Sequence, residues 1–137
     1  MLVIFVVTSP VAFSASPTIT MRYDNGSIVY FNNIITNIGE FYDPVTSMFQ
    51  CPYDGVYLFS ISLQSDADKF MHGEIFREGV PLLSAWADNV DDIQSSVVVV
   101  VECLESELVW VECLDDDMEL IGGKRSSFSG VLITPYA

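Results

Sequence analysis

Phe31-Asn-Asn-Ile-Ile-Thr-Asn37-Ile-Gly-Glu-Phe-Tyr42-Asp-Pro-Val-Thr-Ser-Met-Phe49-Gln-Cys51-Pro-Tyr-Asp-Gly55-Val-Tyr57-Leu-Phe59-Ser-Ile61-Ser-Leu63 is the stretch on which the fold of this chain turns. From Val56 onward the residues alternate: Tyr57, Phe59, Ile61 and Leu63 share one face, and Val56, Leu58, Ser60 and Ser62 share the other. A period of two is the signature of a strand, since successive side chains leave a strand on opposite sides. Half of the second face is still apolar. Gly55 stands where a turn ends and this strand begins. Phe31, Tyr42, Phe49, Tyr57 and Phe59 are expected in the core, because large aromatics supply most of a core's burial.

Outward from this stretch the pattern repeats in short segments rich in Val, Ile, Phe and Tyr, closed by Gly, Pro, Asn, Asp or Ser. Strands are expected at Val11 to Ala15, Ile19 to Tyr23, Ser27 to Tyr30, Ile34 to Asn37, Met48 to Cys51 and Val56 to Gln64. Further strands are expected at Phe70 to Glu78, Pro81 to Ala87, Ser96 to Leu104, Leu108 to Leu114 and Ser127 to Thr134. No amphipathic helix interrupts them. About ten strands in one all-β domain require a two-layer sandwich or a barrel. Val97 to Val101 is five consecutive valines with no polar face. Such a strand is expected to be covered on both sides or to lie at a subunit contact, since at an open edge it would promote aggregation.

With 137 residues the chain is one domain's length. Residues 10–137 are assigned to that domain. Met1 to Ser9 carries the apolar run Leu2 to Val7, far short of the ~20 residues that span a bilayer. It reads as a truncated leader or an added edge strand, without the basic start of a signal peptide. Nineteen acids against five bases give a net charge of −14, and the bases Arg22, Lys69, Arg77, Lys124 and Arg125 are scattered. That distribution leaves no patch to track nucleic acid and disfavours anionic membranes, while favouring cations, cationic partners or neutral ligands. The same acidity also serves simply to keep an apolar protein soluble. The sequon Asn25-Gly26-Ser27 fits an exported chain.

Cys51, Cys103 and Cys113 cannot all pair within one chain. If Leu104 to Glu107 is a tight turn, Cys103 faces Leu108 and Cys113 lies five residues further on. The offset of ~17 Å far exceeds the ~7 Å that a disulfide can bridge, which argues against a Cys103–Cys113 bond. Catalytic patterns are lacking: the single His72 reads as a strand or surface residue, with no nucleophile elbow and no phosphate-cradling loop. Zinc spacing is absent as well. Calcium is the cofactor the oxygen-rich loops suit, with Asp88, Asp91, Asp92, Asp115, Asp116 and Asp117 as the candidate ligands, although none forms an EF-hand. A run such as Asp115 to Asp117 also suits a solvated hairpin loop. Asp66, Asp68, Lys69, Lys124 and Arg125 mark the candidate ligand loops, since binding residues concentrate on loops held by a rigid scaffold.

The spacing of Phe31, Asn37, Tyr42, Phe49, Gly55, Tyr57, Phe59 and Ile61 resembles the signature of the C1q-like domain family. Only Ile61 departs from it, standing where the family has Phe or Tyr. Val11-Ala-Phe-Ser-Ala15 looks like the family's opening strand and Ser127-Phe-Ser-Gly-Val-Leu-Ile133 like its closing one. Leu108-Val-Trp-Val-Glu112 also fits, with Ser106-Glu107 in place of the usual Gly-Asp. The resemblance covers Val11 to Ala137 and implies a ten-stranded jelly-roll sandwich of the C1q and tumour-necrosis-factor type. It further implies a secreted, non-enzymatic homotrimer that recognises microbial glycans or cell-surface components in innate immunity. Two other roles suit the same resemblance: a cytokine-like or synaptic-organiser-like ligand for a protein receptor, and an extracellular structural protein. The all-valine strand and the half-apolar second face of Val56 to Leu63 support self-association independently. Three chains at −14 each would then call for cations such as calcium.

Overall fold

A computed structural model of the chain describes residues 9–65, 69–88 and 94–137, with the backbone alone for Asp88. Every regular element among them is a β-strand. In chain order these are β1 (Ala12–Ser16), β2 (Met21–Tyr23), β3 (Asn33–Ile38), β4 (Tyr42–Asp43), β5 (Met48–Gln50) and β6 (Gly55–Leu63). They continue as β7 (Phe70–Arg77), β8 (Val80–Asp88), β9 (Ser95–Cys103), β10 (Leu108–Cys113), β11 (Met118–Leu120) and β12 (Ser127–Pro135). All pairings among them are antiparallel. One five-stranded sheet has the order β3-β1-β12-β6-β9, the other β4-β5-β10-β7-β8, and β2 and β11 form a short separate pair. The jelly-roll sandwich expected from the sequence is present, with twelve strands in place of about ten because of that small extra pair.

Between the sheets lies an aromatic core. Phe13 stacks on Tyr42 at 4.5 Å and meets Phe128 edge-on at 4.9 Å, while Phe49 meets Phe59 edge-on at 5.6 Å. Phe31, Tyr42, Phe49, Tyr57 and Phe59 are all buried there, together with Ile61 and Leu63. The burial along β6 alternates strictly, so the two-residue period of the quoted stretch is realised side chain by side chain. A Cβ on Gly55 would come within 2.5 Å of the Thr134 carbonyl, so β6 and β12 can close here only around glycine. Asn37 braces the turn that leads into Tyr42, donating from Nδ2 to the Tyr42 carbonyl at 2.8 Å and accepting its N–H at 3.3 Å.

Three expectations change in detail. Ser27 to Tyr30 is not a strand: Ile28 makes one isolated bridge to Glu112, with Val29 N–H donating to the Val111 carbonyl. Two of the twelve strands, β4 and β11, have only two and three residues and lie below the length at which alternation can be read. The turn at Leu104 to Glu107 forms, with Glu107 N–H donating to the Leu104 carbonyl at 3.0 Å. It nevertheless carries the chain from β9 in one sheet to β10 in the other, so Cys103 does not face Leu108 across a hairpin. Cys103 is paired with Gly55 and Cys113 with Gly73, and the disulfide is Cys51–Cys103. Cys113 is free and buried. The expectation against a Cys103–Cys113 bond therefore holds, for a reason of topology rather than hairpin offset.

Candidate functional site

The candidate ligand loops follow the strand ends. β6 and β8 run toward one end of the sandwich, from which β7, β9 and β12 depart, and β10 arrives there as well. Lys69 and Asp115 to Asp117 meet at this end, joined by Arg22, which nothing in the sequence singles out. Arg22 Nε lies 2.7 Å and Lys69 Nζ 3.4 Å from Asp117 Oδ1, and His72 Nδ1 lies 3.1 Å from Asp115 Oδ2. Asp116 accepts the Asn25 N–H at 3.0 Å. Lys124 and Arg125 are exposed in the turn before β12, where the Arg125 carbonyl accepts a hydrogen bond from Gln94. Asp66, Asp68, Asp91 and Asp92 lie outside the described residues.

For a calcium cage, several carboxylates must turn toward one point. Asp115, Asp116 and Asp117 instead engage three different partners, His72, the Asn25 N–H and the Arg22–Lys69 pair. Among the described residues no three His, Cys, Asp or Glu side chains converge on a metal position. In this arrangement the three carboxylates are turned apart, and this end of the molecule is a small ion-pair network around Asp117. Its pairs are exposed, so they fix loop geometry more than they stabilise the fold.

A second surface lies on the outward face of the sheet β3-β1-β12-β6-β9. The cross-strand register sets Ile38, Ala12, Val131, Leu58 and Val100 in one apolar row across all five strands. The adjacent row is Thr36, Ser14, Ser129, Ser60 and Val98, in which the Ser14 and Ser129 hydroxyls hydrogen-bond at 2.7 Å. The valine strand β9 is the edge of this sheet, with Val98 and Val100 exposed by 56% and 58%. Of the two settings expected for that strand, cover on both sides within the chain is thus not realised. A third surface, outward on β7, β8 and β10, holds Phe70, His72, Glu74, Phe76, Trp86, Trp110 and Glu112. Of these, the sequence reading placed only His72. The alternation of Phe70, His72, Glu74 and Phe76 is the signal that would have found those on β7, while Trp86, Trp110 and Glu112 join them only through the cross-strand register.

The family model "C1q domain" matches residues 12–133 of the chain. A polypeptide of the complement C1q subcomponent of Homo sapiens is 28% identical over 133 residues, 93% of this chain and 52% of that protein. Human complement C1q tumor necrosis factor-related protein 3 is 26% identical over 126 residues, 90% of this chain and 51% of that one. The chain spans about half the length of these relatives. Among solved structures, the globular domain of zebrafish complement 1qA protein superposes with a TM-score of 0.75 at 22% identity, covering 92% of this chain and 99% of that one. Eiger TNF from S. frugiperda gives 0.74 at 13% identity over 95% of this chain and 96% of its own. These two likenesses establish the shared jelly roll. The family match extends over nearly the whole folded sandwich, and the chain belongs to the C1q domain family.

Proposed function

We propose that the chain is a secreted, non-catalytic recognition head that works as a homotrimer and binds microbial glycans or cell-surface components in innate immunity. Recognition in this reading is supported by the C1q domain match, and the observation that carries the assembly is the apolar row Ile38, Ala12, Val131, Leu58 and Val100, continued by Val98. One chain leaves that face to water, and contiguous apolar surface of this kind marks an interaction site. A second copy of the same chain is its natural cover, because the face is nearly uncharged while the rest of the chain is strongly acidic. Three heads on one assembly convert weak single-site affinity into avidity for a repetitive surface. Export is supported by the Cys51–Cys103 disulfide, which persists in oxidising compartments, and by the exposed turn that carries Asn25.

Calcium belongs to the proposal as counter-ion to three chains at −14 each, with the aspartate loops as its candidate ligands. The experiment is a glycan and microbe-surface array probed with the purified head in calcium and in chelator, with molar mass measured in both. Trimeric mass with binding to a defined glycan or cell-wall class supports the reading. A trimer silent on the array in both conditions moves the function to a protein receptor or a structural role. A monomer in both overturns the assembly.

A further inference from the structure

On the outward face of the other sheet the register builds a pattern that neither packing nor the trimer accounts for. Trp110 lies opposite Phe76, Glu112 opposite Glu74, and His72 opposite Trp86. The Trp110 and Phe76 rings are nearly parallel, 10° apart with centroids at 6.2 Å. Four residues along β7, a roughly 13 Å rise at strand geometry, Trp86 packs with His72 at 5.0 Å and with Phe70 at 5.6 Å. Trp86 is 45% exposed. Between the two aromatic clusters stand the carboxylates of Glu74 and Glu112.

Like charges directly opposite on neighbouring strands destabilise a sheet. Neither Glu74 nor Glu112 takes part in an ion pair among the described residues. Arg22 and Lys69 are held by Asp117, and Arg77 donates to the Glu102 carbonyl. Trp110 Nε1 donates to Glu112 Oε1 at 3.0 Å, which fixes one carboxylate beside the indole without neutralising it. The chain thus keeps two opposed carboxylates, flanked at both ends by aromatic rings, and among the described residues no cation answers them.

We infer that this face of β7, β8 and β10 docks an arginine-bearing segment of a protein partner. A guanidinium answers both features: its planar fork matches carboxylate oxygens, and its face stacks on an indole. An uncharged sugar could stack on Trp86 but would leave the Glu74–Glu112 repulsion in place, whereas a guanidinium removes it. The net charge of −14 adds long-range attraction for a basic partner. This inference is independent of the glycan-binding trimer, since the face belongs to the opposite sheet and binds equally in a monomer.

Trp86 and Trp110 are the two tryptophans of the chain, so tryptophan emission, excited selectively over the six tyrosines, reports on this face. The experiment titrates the whole chain with a capped peptide of alternating arginine and glycine, and with its citrulline counterpart. The arginine peptide is expected to shift tryptophan emission saturably, and the citrulline peptide to leave it unchanged. Glu74→Gln with Glu112→Gln should weaken binding at least about tenfold. Glu40→Gln with Glu105→Gln removes the same formal charge from exposed sites elsewhere and should change binding by less than about threefold. Melting temperature identifies any misfolded variant, in which case Glu74→Gln alone replaces the pair. Equal weakening by both double variants, equal binding of the citrulline peptide, or saturation by neutral oligosaccharides but not by the arginine peptide overturns the proposal.

Discussion

Tyr42 shows what the aromatic motif does beyond filling space. Its hydroxyl donates to the Phe31 carbonyl at 2.7 Å inside the core, and the Ser47 hydroxyl accepts the Phe31 N–H at 2.9 Å, so the segment entering the core has its backbone polar groups met by side chains. Tyr42→Phe keeps the ring and strands that carbonyl, which should cost about 1–3 kcal/mol of stability at neutral pH, read from denaturant unfolding. The alkaline limb should move the other way. Burial raises the Tyr42 pKa far above its ordinary value of 10.0. The folded state therefore holds a proton that the unfolded chain releases, so its stabilising share is complete below pH about 10 and is lost as pH rises. Removing the hydroxyl should flatten the fall in stability above pH about 10, and an unchanged slope would show that Tyr42 does not govern it. Phe31, Tyr42 and Phe49 were legible as core from their type and spacing. The hydroxyl partner was not, because it depends on a backbone carbonyl placed by the fold.

Among elements, the long strands β6, β7, β8, β9, β10 and β12 fall within about two residues of where alternation and turn residues put them, as expected for boundaries read from pattern. What failed was connection. The Leu104 to Glu107 turn is locally a tight turn, and nothing in its sequence distinguishes a hairpin from a step between sheets. The same blindness hides Arg22 at Asp117 and Cys51 at Cys103, pairs that only the folded register brings together. The disulfide joins the segment after β5 to the end of β9, linking one sheet to the other with a sequence separation of 52 between its cysteines. Closing so long a loop in the unfolded chain is worth about 4 kcal/mol. Calorimetry of Cys51→Ala with Cys103→Ala should therefore show a melting temperature lower by roughly 10–15 °C. A shift of only a degree or two would mean that the core alone holds the sheets in register. Cys113 should stay unalkylated in the native state throughout, since burial both hides the thiol and raises its pKa.

For the whole molecule, the two sheets turn opposite outward faces to their surroundings: one apolar and nearly uncharged, one aromatic with opposed carboxylates. The first is testable at β9. Val98 and Val100 are more than half exposed in the single chain, so Val98→Lys with Val100→Lys should alter the stability of an isolated chain by no more than about 1 kcal/mol. Buried between copies, the same two ammonium groups would have to leave water without partners, which is costly enough to prevent association. The direction of the charge change sharpens the reading. Each lysine reduces a net charge of −14, so electrostatics between whole chains would favour association in the variant, and only loss of the apolar contact can explain a fall in mass. Light scattering should give a trimer for the parent and a monomer of unchanged melting cooperativity for the variant. If the variant keeps the parent's mass, the valine face is not the contact between copies and the self-association must be sought on another surface.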